Sequence, residues 1–281
     1  MDFENALKAV VMGVVEGLSE FLPISSTGHL IATAEIIGFY MQPGEENFRH
    51  LFEIVIQLGA ILAVLALFRQ RVWRVVSTLH SDASSREFVA KLAVAFIPAG
   101  IIGYTTHSFV EKYLMNTGVV AATLAIGGIA IILIERRKPK PALYQDAMTL
   151  PWGIAIGIGS CQCLSLLLPG TSRAAATILG GLLFGLDRRA ATEFSFFLAI
   201  PTMFAATGYS LLKQRDTLHE APLDILAIGF VVSFIVAWIV IAWLIRFVST
   251  HTFTAFGWYR IAAGIILAGM IMAGVISLKG Q

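Results

Sequence analysis

Hydrophobic positions along this chain fall in long blocks, not in the alternating or two-turn patterns of soluble strands and helices. A helix needs roughly 20 mostly apolar residues to cross a bilayer. Six stretches meet that length, at about 52–68, 88–107, 117–135, 190–212, 223–247 and 255–278. Two further apolar regions are interrupted. Region 5–40 is broken at Pro23-Ile24-Ser25-Ser26-Thr27-Gly28-His29, and region 150–186 at Pro169-Gly170-Thr171-Ser172-Arg173. Each half is short for a span, and backbone that leaves the helix at membrane depth must be buried in protein or line a wet cavity. The pattern therefore predicts an all-α polytopic membrane protein with six transmembrane helices and two re-entrant helix pairs, forming a single integral membrane domain over 1–281.

The two broken regions resemble each other. Leu18, Ser19, Leu22, Pro23 and Ser26 match Leu164, Ser165, Leu168, Pro169 and Ser172 at a constant offset of 146, which also sets Glu16 against Gln162. Each break is followed by a short apolar segment and then by a span that opens with an acid, Glu53 or Glu193. An odd number of spans separates the breaks, so the two copies, approximately 1–135 and 150–281, run in opposite orientations. Inverted repeats with paired broken helices point to a site near the midplane, where the breaks meet.

Composition supports this layout. Of the 281 residues, 57% are hydrophobic and 14% charged, against about 25% charged in soluble domains, and the mean hydropathy is +0.79. The net charge of +2, with no basic tail or arm, gives no footprint for nucleic acid. The N-terminus, Met1 to Glu4, is acidic and does not read as a signal peptide. Cys161 and Cys163 point away from each other on a helix and read as small buried apolar residues. If region 5–40 enters and leaves on the outside, the inner segments hold Arg69, Arg71, Arg74, Arg86, Lys91, Arg136, Arg137, Lys138, Lys140, Arg188, Arg189 and Arg246. The outer segments hold half as many basic residues, Lys8, Arg49, Lys112, Lys213, Arg215 and Lys279. Basic residues gather on the cytoplasmic side, so both termini are placed outside.

Candidate chemistry lies in the breaks. Glu16 and Glu20 share one helical face at i,i+4 spacing. Ionisable groups inside a membrane are costly and usually functional, and two adjacent carboxylates call for a divalent metal or a shared proton. Ser25, Ser26 and Thr27 follow Pro23, where a new helix N-terminus offers N–H groups and a positive dipole end to an anion. His29 is the only histidine in either broken region and is a candidate nucleophile, acid or base. In the second break Gly170 allows close backbone approach, Thr171 and Ser172 offer hydroxyls, and Arg173 supplies a fixed fork for a phosphate, with Thr177 on its face. The plainer alternatives are glutamates snorkelling at the membrane edge, a simple capping cluster around His29, and a structural salt bridge from Arg173 to Glu16 or Glu20. Glu53 with Gln57, and Glu193 with Ser195, are placed behind the site as support, while Tyr259 and Arg260 in the last span read as helix packing. Two carboxylates, a histidine, an arginine, several hydroxyls and two helix N-termini in one pocket suit phosphoryl transfer on a lipid phosphate. The same architecture also serves transporters, and an anionic-lipid transporter or flippase is the alternative reading.

At these residues the chain resembles the undecaprenyl-pyrophosphate phosphatases of the bacitracin-resistance family. The run from Val15 to His29, Val-Glu-Gly-Leu-Ser-Glu-Phe-Leu-Pro-Ile-Ser-Ser-Thr-Gly-His, matches that family's first motif almost residue for residue, and Phe52 to Gly59 matches another block. Pro169 to Arg173 and Glu193 to Phe196 match the second half, although Ala174 and Ala175 stand where the family usually has Ser-Gly. The resemblance implies hydrolysis of a long polyprenyl pyrophosphate to its monophosphate and inorganic phosphate, with Mg²⁺ or Ca²⁺ as the divalent cation. It also implies a bacterial plasma-membrane location with the site facing outward, a homodimer, and a link to bacitracin through the shared lipid. Glu16, Glu20, Ser26, His29 and Arg173 occupy the positions that carry activity in relatives. Glu16 and Glu20 would hold the cation while Arg173 and the N–H groups near Ser26 and Ser172 neutralise the transferring group. The attacking group is left open among Ser26 assisted by His29, His29 itself, and water.

Overall fold

The computed structural model describes residues 3–42, 44–137 and 141–278. Met1, Lys138, Lys140 and Lys279 of the sequence analysis lie outside the described residues. Among the described residues thirteen helices follow one another: α1 (Phe3–Ser19), α2 (Ser26–Ile37), α3 (Glu46–Leu67), α4 (Arg69–Ser77), α5 (Ala83–Tyr113), α6 (Thr117–Glu135), α7 (Trp152–Cys161), α8 (Cys163–Leu167), α9 (Arg173–Leu183), α10 (Arg188–Lys213), α11 (Arg215–Glu220), α12 (Leu223–Val248) and α13 (Thr254–Met272). Six of them, α3, α5, α6, α10, α12 and α13, are long and apolar enough to cross a membrane.

Local chemistry sets where they begin and end. Asp82 starts α5 ahead of its apolar run by accepting from the Ser84 and Ser85 N–H groups, and Asn116 starts α6 by accepting from Val119 N–H. The last span stops earlier than its hydropathy predicts. Gly274 takes a φ of 70°, and the following N–H groups turn back to the Met270 carbonyl.

The ends of the spans sort into two faces. On one, Arg188 holds Glu135 through two bonds of 3.0 and 2.7 Å, Glu135 also accepts from Phe253 N–H, and Arg71 reaches Glu193. On the other, Thr117 N–H donates to Leu278 O, Glu35 accepts from Ser277 N–H, and Lys8 donates to Gly38 O. Helices α1 and α2 thus form a pair that enters and leaves at the second face. Helices α7 to α9 form one that enters and leaves at the first, where Leu143 and Tyr144 N–H donate to Gly185 O. The packing is reciprocal: α1 lies along α12, while α7 and α8 lie along α5. Small residues permit the close approach expected within membranes. A Cβ at Gly13 or Gly17 would meet α12 backbone at 2.8 Å, and one at Gly159 would strike Ala95 of α5.

The two turns do not pair in the register of the sequence alignment. Ser25 precedes α2 with φ 74°, and Ser172 precedes α9 with φ 71°. The conformational counterpart of Ser172 is therefore Ser25, not Ser26, and Arg173 occupies the position held by Ser26. The cause is one extra residue between proline and helix in the second turn. Gly170 takes it up at φ 88°, packed so tightly on Val120 and Thr123 of α6 that any Cβ would collide. The Thr123 hydroxyl adds a 2.5 Å bond to Pro169 O.

Arg260 of α13 holds both turns. Its side chain is 0% exposed. Nη1 donates to Pro23 O (3.1 Å) and Thr171 O (2.9 Å), Nη2 to Gly170 O (3.0 Å) and Thr123 O (3.1 Å), and Nε to Leu124 O (3.2 Å). All five guanidinium N–H donors are thereby satisfied by backbone carbonyls. Gly127 and Gly128 of α6 leave the room this requires. A non-glycine residue at positive φ costs about 1–3 kcal/mol and persists where its surroundings over-determine it, and Arg260 grips carbonyls immediately beside Ser25 and Ser172. Arg260→Met is expected to lower stability in micelles by about 3 kcal/mol or more. Arg260→Lys, with three donors for five carbonyls, should fall in between. A denaturant titration showing parental stability for Arg260→Met would refute the clamp.

Candidate active site

The site is where the two turns meet. The Glu20 N–H donates to Glu16 O at 2.9 Å, so helical geometry carries past Ser19 and sets both carboxylates on one face. Glu20 then joins the two halves of the chain. Its Oε1 accepts from Arg173 Nη2 at 3.1 Å, and its Oε2 accepts from the Ser26 hydroxyl at 2.6 Å. Arg173 also donates from Nη1 to Ser195 O and lies over the Phe21 ring, 5.7 Å from its centroid. Its Nε–H and one Nη1 hydrogen make no bond among the described residues, so they remain open to a ligand.

Glu16 is buried, 1% exposed, and its Oε1 has no hydrogen-bond partner among the described residues. Its charged neighbours are Glu20, Glu53 and Arg173. Two carboxyls, Glu16 and Glu20, thus stand beside the Arg173 guanidinium, while Glu53 also has Arg49 near it. No three metal-ligating side chains gather closely enough for a complete cage among the described residues. A cation here would draw on Glu16, on waters and on a ligand's own oxygens, the usual arrangement for Mg²⁺.

The two helix N-termini differ. Ser172 caps α9 by accepting from Ala175 N–H at 3.2 Å, whereas Ser25 makes no side-chain cap to α2. The first-turn N–H groups of α2 are thus left for an anion, with the helix dipole behind them. His29, one turn along, is engaged at both ring nitrogens. Nδ1 is 2.7 Å from Ser25 O and Nε2 is 2.6 Å from the Tyr259 hydroxyl. A carbonyl can only accept, so Nδ1 carries the hydrogen and the neutral ring receives the Tyr259 proton at Nε2.

The sequence-derived candidates are therefore partly regrouped. Glu16, Glu20, Ser25, Ser26, His29, Ser172 and Arg173 come together, with Glu53 beside Glu16 and half-buried Thr27 and Gln57 on the adjoining helices. Glu193 does not join them. Its two oxygens are taken by Arg71 (2.5 Å) and Arg189 (3.0 Å) at the basic face. Gly170 and Thr171 present their backbone carbonyls to Arg260, which holds the turn, and those bonds leave the hydroxyl of half-buried Thr171 unused. Thr177 is buried and spends its hydroxyl on Arg173 O and the Ser195 hydroxyl, bracing α9 against α10. Ala174, where the resemblance leads one to look for a serine, is fully buried in the core, so Thr171, Ser172 and Arg173 are the polar side chains this turn presents. Tyr259, Arg260 and Thr123 were not assigned to the site. Arg260 alone carried a usable signal, being an arginine at membrane depth that needed partners.

Comparison with known proteins places the chain in a family. The family model described as Bacitracin resistance protein BacA matches residues 9–266. The chain is 49% identical over 268 residues to the undecaprenyl-diphosphatase of Ectopseudomonas mendocina, covering 95% of this chain and 94% of that protein. It is 47% identical to the undecaprenyl-diphosphatase of Cupriavidus metallidurans across 99% of each chain, and 47% identical to that of Nitrosospira multiformis across the whole of both. Glu193→Gln, which leaves Arg71 and Arg189 without their counter-ion, is expected to destabilise the fold by about 1–3 kcal/mol. An unchanged unfolding transition would show that this network contributes nothing.

Proposed function

The chain belongs to the Bacitracin resistance protein BacA family, and on that premise we propose that it is an undecaprenyl-diphosphatase, hydrolysing undecaprenyl pyrophosphate to the monophosphate and inorganic phosphate. The observation that carries the chemistry is the 2.6 Å hydrogen bond from the Ser26 hydroxyl to Glu20. It lies within the reach required of a general base, and Arg173 holds that base in place. Ser26 Oγ attacks the terminal phosphorus as its proton passes to Glu20. The bond from that phosphorus to the bridging oxygen breaks, and the lipid monophosphate departs with the bond's electron pair. The departing monophosphate takes up the proton from Glu20, and the restored carboxylate then deprotonates a water that displaces Ser26, whose oxygen recovers that proton as phosphate is released.

The remaining groups bind and orient. The free N–H groups of Arg173 and the uncapped first turn of α2 accept the charge spread over the equatorial oxygens. Glu16, with its unpartnered oxygen, would hold a divalent cation, which would supply charge neutralisation to an anionic ligand beside Glu16 and Glu20. His29 is not assigned as the nucleophile, because both its ring nitrogens are already engaged. A transporter needs no base bonded to a hydroxyl, and the relatives are named as hydrolases. We place the basic face in the cytoplasm, as basic residues gather there, which opens the α1–α2 pair to the outer side of a bacterial inner membrane. Bacitracin then meets this protein only through the lipid they share.

Phosphate release from a polyprenyl pyrophosphate by the purified protein in detergent tests the reading. We expect release that EDTA stops and added Mg²⁺ or Ca²⁺ restores. Arg173→Ala should lower it by about 10²–10³-fold, Glu20→Gln by at least about 10²-fold, and Ser26→Ala should remove the burst of phosphoenzyme. Glu16→Gln should raise the cation concentration for half-maximal rate by about tenfold or more. No release from folded protein would sink the proposal, and EDTA-insensitive release would sink the cation role.

A further inference from the structure

One contact at the site's edge has no place in the scheme above. The hydroxyl of Tyr259 meets His29 Nε2 at 2.6 Å, with the two rings nearly parallel at 9°. On the far side of the imidazole, Nδ1 donates to Ser25 O at 2.7 Å. Ser25 is the residue at φ 74° whose peptide bond leads directly to Ser26. A continuous chain of contacts therefore runs from α13 through Tyr259, His29 and the Ser25 carbonyl to the peptide that carries the Ser26 hydroxyl. Its neighbour Arg260 grips the same turn from the other side, at Pro23 O. Adjacent residues of one helix thus hold both flanks of a turn whose conformation costs energy to keep.

We propose that Tyr259 is a positioning residue for the hydrolysis, holding Ser26 toward Glu20 and the incoming phosphorus through His29 and the Ser25 carbonyl. The inference rests on the phosphatase reading. It gives His29 a role that leaves both ring nitrogens as they are found, since the ring is a spacer that transmits a fixed position. A small displacement of an attacking group is expensive for rate, while leaving ground-state binding nearly untouched. The competing account of Tyr259 is an aromatic anchor at the membrane interface, since it is 46% exposed and Trp258 beside it is 56% exposed. An anchor needs the ring, whereas a positioning residue needs the hydroxyl.

Tyr259→Phe keeps the ring and removes the hydroxyl. The expected result is a kcat lowered by about tenfold, with KM within about twofold of the parent, while Trp258→Phe leaves both unchanged. The bond itself is read apart from turnover by NMR of protein carrying ¹⁵N-labelled histidine, in which the His29 Nε2 resonance should move in Tyr259→Phe. An unchanged kcat, an equal loss in Trp258→Phe, a rise in KM alone, or an unmoved His29 resonance would each overturn the proposal. If the parent protein itself released no phosphate, the phosphatase reading would fail, and the resonance would still report whether the Tyr259–His29 contact exists.

Discussion

A single buried guanidinium fixes the relation between the two halves of this protein. A charge in the membrane interior is expensive, and the usual remedy is a carboxylate partner. Arg260 instead spreads its five donors over carbonyls from Pro23, Gly170, Thr171, Thr123 and Leu124. Three of those carbonyls lie in turns that have left helical geometry, where no intrahelical donor would serve them. The cation and the broken backbone thus solve each other's desolvation problem, and neither arrangement is stable without the other. Because no carboxylate among the described residues cancels the charge, its positive potential is felt at the turns and at His29.

The geometry of the candidate site follows from this arrangement. Once Pro23 and Gly170 are pinned to the same side chain, α2 and α9 must begin next to each other. Glu20 then lies within reach of Ser26 on its own turn and of Arg173 on the other. The polar network is short, and its unfilled capacity is confined to a few atoms: one oxygen of Glu16, part of Arg173, and the first N–H groups of α2. These are one acceptor surface and two donor surfaces among the described residues.

Much of this was legible in the sequence, for an identifiable reason. Glu16, Glu20 and Arg173 stand out because each is charged within an apolar run, and the two prolines mark where the helices stop. Reading which charge answers which was harder. Glu193 gives the same local signal as Glu53, an acid at the opening of a span, yet its partner Arg71 is 122 residues away and draws it to the basic face. Arg260 gives the same signal as Arg173, but its partners are carbonyls, which leave no mark in a sequence. Tyr259 looked like any interfacial aromatic, since a hydrogen bond to a histidine 230 positions earlier has no local trace. The alignment of the two breaks was off by one residue beyond the prolines. Identity of side chains favoured Ser26 against Ser172, whereas the backbone equates Ser25 with Ser172.

That one-residue slip has a chemical meaning. Two turns related by symmetry would present the same group at the same place, and a pair of serines or a pair of arginines facing each other can do little together. The residue inserted at Gly170 moves the second helix start forward by one, so a serine and an arginine come to occupy equivalent positions on opposite sides of one carboxylate. A hydroxyl and a guanidinium thus come to flank one carboxylate by a change of register between two similar turns, much as a heterodimer gains function that neither homodimer has.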